Sequence, residues 1–274
     1  MDERTGERLD DANALYRADL ARHRAAYRFA VACEAAPGST AARAAISGAA
    51  PCVLDLGCGT GYGAAELAAA GLPVVGLDRV RPAPRARQAG ARFVCGDLER
   101  LPFRAARFDR IVSFQVVEHL ADPGRYLSEM ARLLRPGGIA LLTTPNRLES
   151  DGENPYHLRE YTGDELARVL SRHFERVELR GIHAHGPAAR YHADRLRSIR
   201  RITRLDPLGL RRRLPSAVLD PAFAWLSILV RLGARRQGVL EEVTDADYRV
   251  ESVLPGCIDL LAICSQPRFG ANRG

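Results

Sequence analysis

Asp55 stands two residues before Gly57 in the run VLDLGCGTGYG, where glycines recur at 57, 59, 61 and 63. Glycine at alternate positions lets a backbone turn sharply and bring its N–H groups close to a ligand. Such a loop often cradles phosphate, and Gly59, Gly61 and Ala64 satisfy GxGxxA, a dinucleotide pattern that is weak by itself. The carboxylate argues the other way. A pyrophosphate brings about two negative charges, which a carboxylate within ~4 to 6 Å repels and an ammonium or sulfonium would not. Capping of loop amides is the plainer reading of Asp55. Cys58, set between two glycines, reads as a small packing residue rather than a nucleophile.

Two further acids extend the pattern. Asp78 closes PVVGLD, 21 residues beyond Gly57, where a carboxylate can accept hydrogen bonds from both hydroxyls of a ribose. Asp97 closes FVCGD, and with the neighbouring amide of Leu98 it can read the amino edge of adenine; an ordinary strand-end turn would also use an aspartate there. A ligand with a cationic end, a ribose diol, an adenine and no phosphate is S-adenosylmethionine. Methyl transfer from a sulfonium is a displacement with a neutral leaving group, so alignment of the acceptor is the main requirement. A hydroxyl acceptor also needs a base, for which histidine is suited.

The candidate bases are His157 in NPYHLREY, His119 in VVEHLADP, and His183 and His185 in GIHAHG. The spacing of His157 and Glu160 puts imidazole and carboxylate on one face if the segment turns, so that Glu160 orients His157. Two such ligands are too few for a metal site, and none is expected. Arg159, Glu160 and Tyr161 alternatively anchor the next helix, which opens on a capping pattern of Thr162 and Glu165. Near the amino terminus Arg22, His23 and Tyr27 are candidates for a helix that covers the ligand, or else an exposed helical face.

The elements that position these residues follow from the hydrophobic pattern. From Pro51 short apolar runs alternate with helical ones: CVLDL, AAELAAAG, PVVGLD, ARFVCGD, FDRIVSF, GRYLSEMARLL and PGGIALLTT. Strands separated by helices give an α/β fold with a parallel, doubly wound sheet whose carboxyl ends form the binding crevice. The expected organisation is one domain over 1–274: an N-terminal helical cover (1–48), a cofactor-binding core (49–182), an arginine-rich helical insertion (183–254) and a last strand (255–266).

The sequence resembles the class I S-adenosylmethionine-dependent methyltransferases, in particular the small-molecule group with ubiquinone-type and glycan-type O-methyltransferases. VLDLGCGTGYG matches the first motif of that family, PVVGLD its ribose acid and CGDLERLPF its adenine-side motif. FDRIVSFQVVEHLADP matches the fourth strand, and LLRPGGIALLTTPN the turn into the fifth. The resemblance covers about residues 50 to 182 and implies a Rossmann-like, seven-stranded, mostly parallel sheet with CIDLLAICS as its antiparallel last strand. It further implies that Gly57, Gly59, Gly61 and Tyr62 line the methionine part of the cofactor, and that Phe114 and Gln115 face it. One departure is RVRPAPRARQAG, short and proline-broken where the family commonly has a full helix.

Composition narrows the partners. The net charge of +7 comes from 40 arginines without a lysine, a codon-like bias that by itself says little about nucleic acid. The segment after the fourth strand, SFQVVEH, has neither an NPPY-like tetrapeptide nor a Pro-Cys nucleophile, which argues against the common base-modifying enzymes. Residues 190–213 carry nine arginines against two aspartates and precede the apolar run AVLDPAFAWLSILVRLG. That insertion, over 190–232, reads as a peripheral contact with an anionic membrane surface, as a wall of the substrate pocket, or as the contact of a homodimer. Six dispersed cysteines and a charged amino terminus point to a reduced, cytoplasmic protein. The expected activity is methyl transfer to a hydroxyl of a sugar, lipid-linked glycan or natural-product-like molecule. Transfer to nitrogen, carbon or RNA, and cofactor binding without catalysis, are the rivals.

Overall fold

The computed structural model describes residues 14–33, 50–150, 154, 156–203 and 238–268. In chain order it contains α1 (Arg17–Ala32), β1 (Val53–Leu56), α2 (Tyr62–Ala69), β2 (Val74–Asp78), α3 (Pro84–Gln88) and β3 (Arg92–Cys95). There follow β4 (Phe108–Phe114), α4 (Pro123–Leu133), β5 (Leu134–Pro145), α5 (Gly163–Leu170), β6 (Phe174–Ala184) and α6 (Gly186–Thr203). A short α7 (Val239–Glu242), β7 (Tyr248–Glu251) and β8 (Asp259–Pro267) complete the order. The strands form one sheet, β3-β2-β1-β4-β5-β8-β6-β7. The run from β3 to β5 is parallel, and β8 is antiparallel to both β5 and β6.

β1 and β4 are buried at every position, as central parallel strands covered on both faces must be. Alternation divides their side chains between two cores. Leu54, Leu56 and Ile111 pack with α4 and α5, whereas Val53, Val112 and Phe114 pack with α1 and α2. Asp55 shares the face of Val53 and so points under α1. α4 starts where Asp122 accepts from the Gly124 N–H (2.9 Å) with Pro123 at its first position. α5 carries a full capping box: Thr162 Oγ1 accepts from Glu165 N–H, and Glu165 Oε2 accepts from Thr162 N–H. The proline-broken stretch after β2 yields only the five-residue α3.

The sheet has eight strands rather than the expected seven. The additional one, β7, comes from the end of the insertion and lies antiparallel to β6 at the sheet edge. Its Tyr248 is buried and its Val250 partly buried in the α1-side core, which holds a four-residue strand too short to be read from its sequence. The described part of the insertion is therefore mixed, with α6 followed by α7 and β7; the apolar run at 217–233 lies outside the described residues. Among the described residues no helix is long and apolar enough to cross a membrane.

Candidate functional site

The glycine loop joins β1 to α2 over the end of β2. Gly57 and Cys58 donate to the Leu77 carbonyl (2.8 and 3.1 Å), and Gly59 N–H donates to Asp78 Oδ2 (2.8 Å). Gly57, Gly59 and Gly61 have φ of +83°, +56° and +87°, a region glycine enters at little cost. A β-carbon on Gly57 would sit 2.5 Å from Val116 Cγ2, whereas at Gly59 it would meet nothing within 4 Å. The loop is thus clamped at one end and open to a ligand in its middle. Asp78 Oδ1 accepts from Val80 N–H (3.1 Å), so both carboxylate oxygens are fixed by backbone and each keeps acceptor capacity for a diol.

Asp97 lies one strand further along, half-exposed. Its carboxylate accepts from Glu99 N–H (2.9 Å) and stands 3.5 Å from Arg79, and these neighbours, the amide foremost, hold it below the usual carboxylate range. Leu98 beside it packs against the α4-side core. Asp55 differs in kind. It is only 1% exposed, Tyr27 Oη donates to both its oxygens at 3.3 Å, and burial, reinforced by Asp78, pushes its carboxyl up to about 7. Phe114 packs edge-on against the Tyr27 ring at 4.8 Å, and the Tyr62 hydroxyl meets His23 Nδ1 at 2.8 Å. α1 therefore places Tyr27 and His23 directly over the loop. The glycine loop open at Gly59, the acceptor capacity of Asp78 and the buried Asp55 carboxylate have the chemistry that S-adenosylmethionine would need.

A polar cluster occupies the neighbouring strand ends. Gln115 follows β4 with φ +57°, uncommon for a non-glycine residue, held by its N–H to the Thr143 carbonyl (3.0 Å) and its amide to Thr143 Oγ1 (3.3 Å). A single helical turn, Val117–His119, comes next. The loop after β5 folds onto that turn, since Leu158 and Arg159 both donate to the Glu118 carbonyl (2.9 and 3.1 Å). This brings His157 beside His119, with ring centroids 5.2 Å apart. His157 Nδ1 pairs with Glu160 Oε1 at 2.7 Å, Glu160 also accepts from Ser150 Oγ (2.9 Å), and His157 Nε2 meets Asn154 Nδ2 at 2.9 Å. His183 and His185 lie apart from this cluster, bonded to the Val253 carbonyl and Glu251 along the β7 edge.

Three residues of this region carry no motif of their own. Glu118, fully buried, contributes a carboxylate oxygen within 4.8 Å of ring nitrogens of His119 and His157. Asp259, at the start of β8, pairs with Arg22 of α1 at 2.7 Å; the carboxylate is 1% exposed. Burial raises the Asp259 carboxyl while Arg22 opposes that shift, and the Gln115 side chain also bonds to it. Arg110 of β4 donates to the Ala30 and Cys33 carbonyls and so ties down the end of α1. Charged residues inside otherwise apolar strands, as in FDRIVSF and CIDLLAICS, are the signal that marks Asp259 and Arg110.

Residues 54–142 match the methyltransferase domain family. A probable S-adenosylmethionine-dependent methyltransferase of Mycolicibacterium smegmatis is 43% identical over 126 residues, 43% of this chain and 49% of that protein. One from Mycobacterium tuberculosis, with the same description, is 39% identical over 147 residues, 50% of this chain and 53% of that protein. The matches span about half the length of these curated relatives. The crystal structure of a Thermotoga maritima S-adenosylmethionine-dependent methyltransferase, described as a possible histamine N-methyltransferase, aligns over 92% of this chain and 98% of that one. It does so with TM-score 0.50 and 16% identity, a likeness of fold alone.

Proposed function

We propose that the protein is a class I S-adenosylmethionine-dependent methyltransferase that methylates a hydroxyl of a sugar, lipid-linked glycan or natural-product-like small molecule, a reading supported by the match of residues 54–142 to the methyltransferase domain family and by its methyltransferase relatives. The observation that carries this reading is the 2.7 Å pairing of His157 with Glu160 beside the crevice. The cofactor supplies a methyl group on a positively charged sulfur, already activated for displacement. What the chain must add is position and a place for one proton. Asp78 orients the ribose, and the glycine loop with Asp55 receives the cationic end. Glu160 accepts the His157 Nδ1 proton, so that in the neutral ring Nε2 carries the lone pair that can take a hydroxyl proton. Asn154 occupies that nitrogen in the structure, and the acceptor hydroxyl would take its place.

The test is a methyl-labelled cofactor offered to polar and lipid extract fractions. His157→Ala is expected to lower turnover ~10²-fold or more, with cofactor affinity by calorimetry unchanged. Normal turnover in that variant would remove His157 from the chemistry. Label on nitrogen or on nuclease-sensitive material would overturn the hydroxyl assignment.

A further inference from the structure

We propose that Glu118, His119 and His157 form a binding site for one divalent transition-metal cation. The ligand atoms, one from each residue, lie within 4.8 Å of one another. Bonds of about 2.1 Å hold the ligands of one ion roughly 3.3 to 4.2 Å apart, so a shift of about an ångström closes the set. Two segments supply it: the adjacent Glu118 and His119 from the turn after β4, and the distant His157 from the loop after β5.

The surroundings have the form that metal-binding imidazoles need. His119 Nδ1 faces the Tyr156 carbonyl at 2.8 Å, and His157 Nδ1 faces Glu160 Oε1 at 2.7 Å. Both partners are acceptors, so each neutral ring carries its proton on Nδ1 and its lone pair on Nε2. Outer acceptors of this kind fix the orientation and raise the basicity of ligating histidines. Glu160 is itself held by Ser150 Oγ at 2.9 Å. The Asn154 amide now at His157 Nε2 would give way to the ion. A cation would also compensate the Glu118 carboxylate for its complete removal from water.

Two imidazoles and one carboxylate suit Zn²⁺, Co²⁺, Fe²⁺ or Mn²⁺ better than Mg²⁺ or Ca²⁺, which favour all-oxygen sets. Three protein ligands leave at least one position for a water or a substrate oxygen. An oxygen bound there is made more acidic. His157 can serve as ligand or as proton acceptor but not both at once; with the ion bound, the cation would lower the pKa of the bound oxygen and its proton would pass to solvent water.

Cation binding needs neither cofactor nor acceptor, so it can be measured apart from methyl transfer. Full-length protein free of affinity tags is titrated with Co²⁺ and followed by its visible absorption, with Zn²⁺ calorimetry in parallel. The expected result is one equivalent bound without thiolate charge-transfer bands, and about tenfold or greater weakening in both His119→Ala and His157→Ala. Glu160→Gln should weaken binding by a smaller factor. Because Glu118 is buried, Glu118→Gln is read only after circular dichroism shows a native fold. Absence of saturable binding, binding that survives both histidine substitutions, or thiolate bands from the cysteines would each overturn the site. Failure here with methylation intact would leave the hydroxyl reading standing; cation binding without any methylated hydroxyl product would do the reverse.

Discussion

Burial pushes the Asp55 carboxyl up to about 7, while Asp78 at the end of β2 keeps both oxygens on backbone amides. The two acids therefore differ: Asp78 is a pre-set acceptor, and Asp55 is a charge that the fold tolerates poorly. A carboxyl raised from 3.8 to about 7 on folding contributes nothing below pH 3.8, where it is protonated in both states. Its ionised form is opposed by the fold, so stability is lost as pH rises from about 4 to about 7, by roughly 4 kcal/mol at most. Asp55→Asn should remove that slope. In urea unfolding of the cofactor-free protein, the variant is expected to gain stability over the parent at pH 8 and to match it far more closely at pH 4. An unchanged slope would mean that Asp55 is already neutralised. On the proposed role of Asp55 at the cationic end of the cofactor, the same substitution should also weaken cofactor binding; unchanged affinity would remove Asp55 from that role.

At the scale of elements, α1 is seated by close fit as much as by bonds. A β-carbon on Gly63 would fall 1.9 Å from Tyr27 Cζ, so α2 must present bare backbone for the tyrosine ring to pack against it. Gly63→Ala should lift α1, cost ~1 to 3 kcal/mol as an overpacked contact, and raise amide exchange across Arg17–Ala32. Protection equal to the parent would show that the ring slides aside. The glycine loop and Asp78 were legible in the sequence because their geometry is local: a strand, a turn and a helix start within a few residues. β7 was not, since four residues acquire strand character only from pairing with β6. Glu118 was hidden for a similar reason. Its neighbour His157 lies 39 positions away by number and arrives only because the loop after β5 hydrogen-bonds to the turn after β4. His157 with Glu160, three residues apart, was readable; their joining with His119 was not.

Across the whole molecule, distant parts of the chain meet in one buried ion pair. Arg22 and Asp259 are 237 residues apart and 2.7 Å in space, the arginine side chain 13% exposed and the carboxylate 1%. Removing one partner strands the other charge in the interior, so Arg22→Leu should destabilise by ~3 to 5 kcal/mol. Combining it with Asp259→Asn should recover a large part of that loss in denaturant titration. Full additivity of the two substitutions would show that they do not sense each other. The pair also explains why the role of Asp259 escaped a reading based on local pattern. The charge inside an apolar strand marks Asp259 but not its partner, and only the placement of β8 between β5 and β6 sets it beside α1 and Gln115.

The position of β8 has a consequence for birth on the ribosome. Strands β1 to β5 can pair with one another as soon as they emerge, but β6 and β7 have no place to dock until residues 259–267 have been made and threaded in antiparallel between β5 and β6. Until then the nascent chain shows an open, apolar flank at β5, and the half of the sheet that carries α6 waits undocked. Synthesis must therefore run through β8 before the sheet is closed on both sides of that strand, which makes β8 the keystone of assembly.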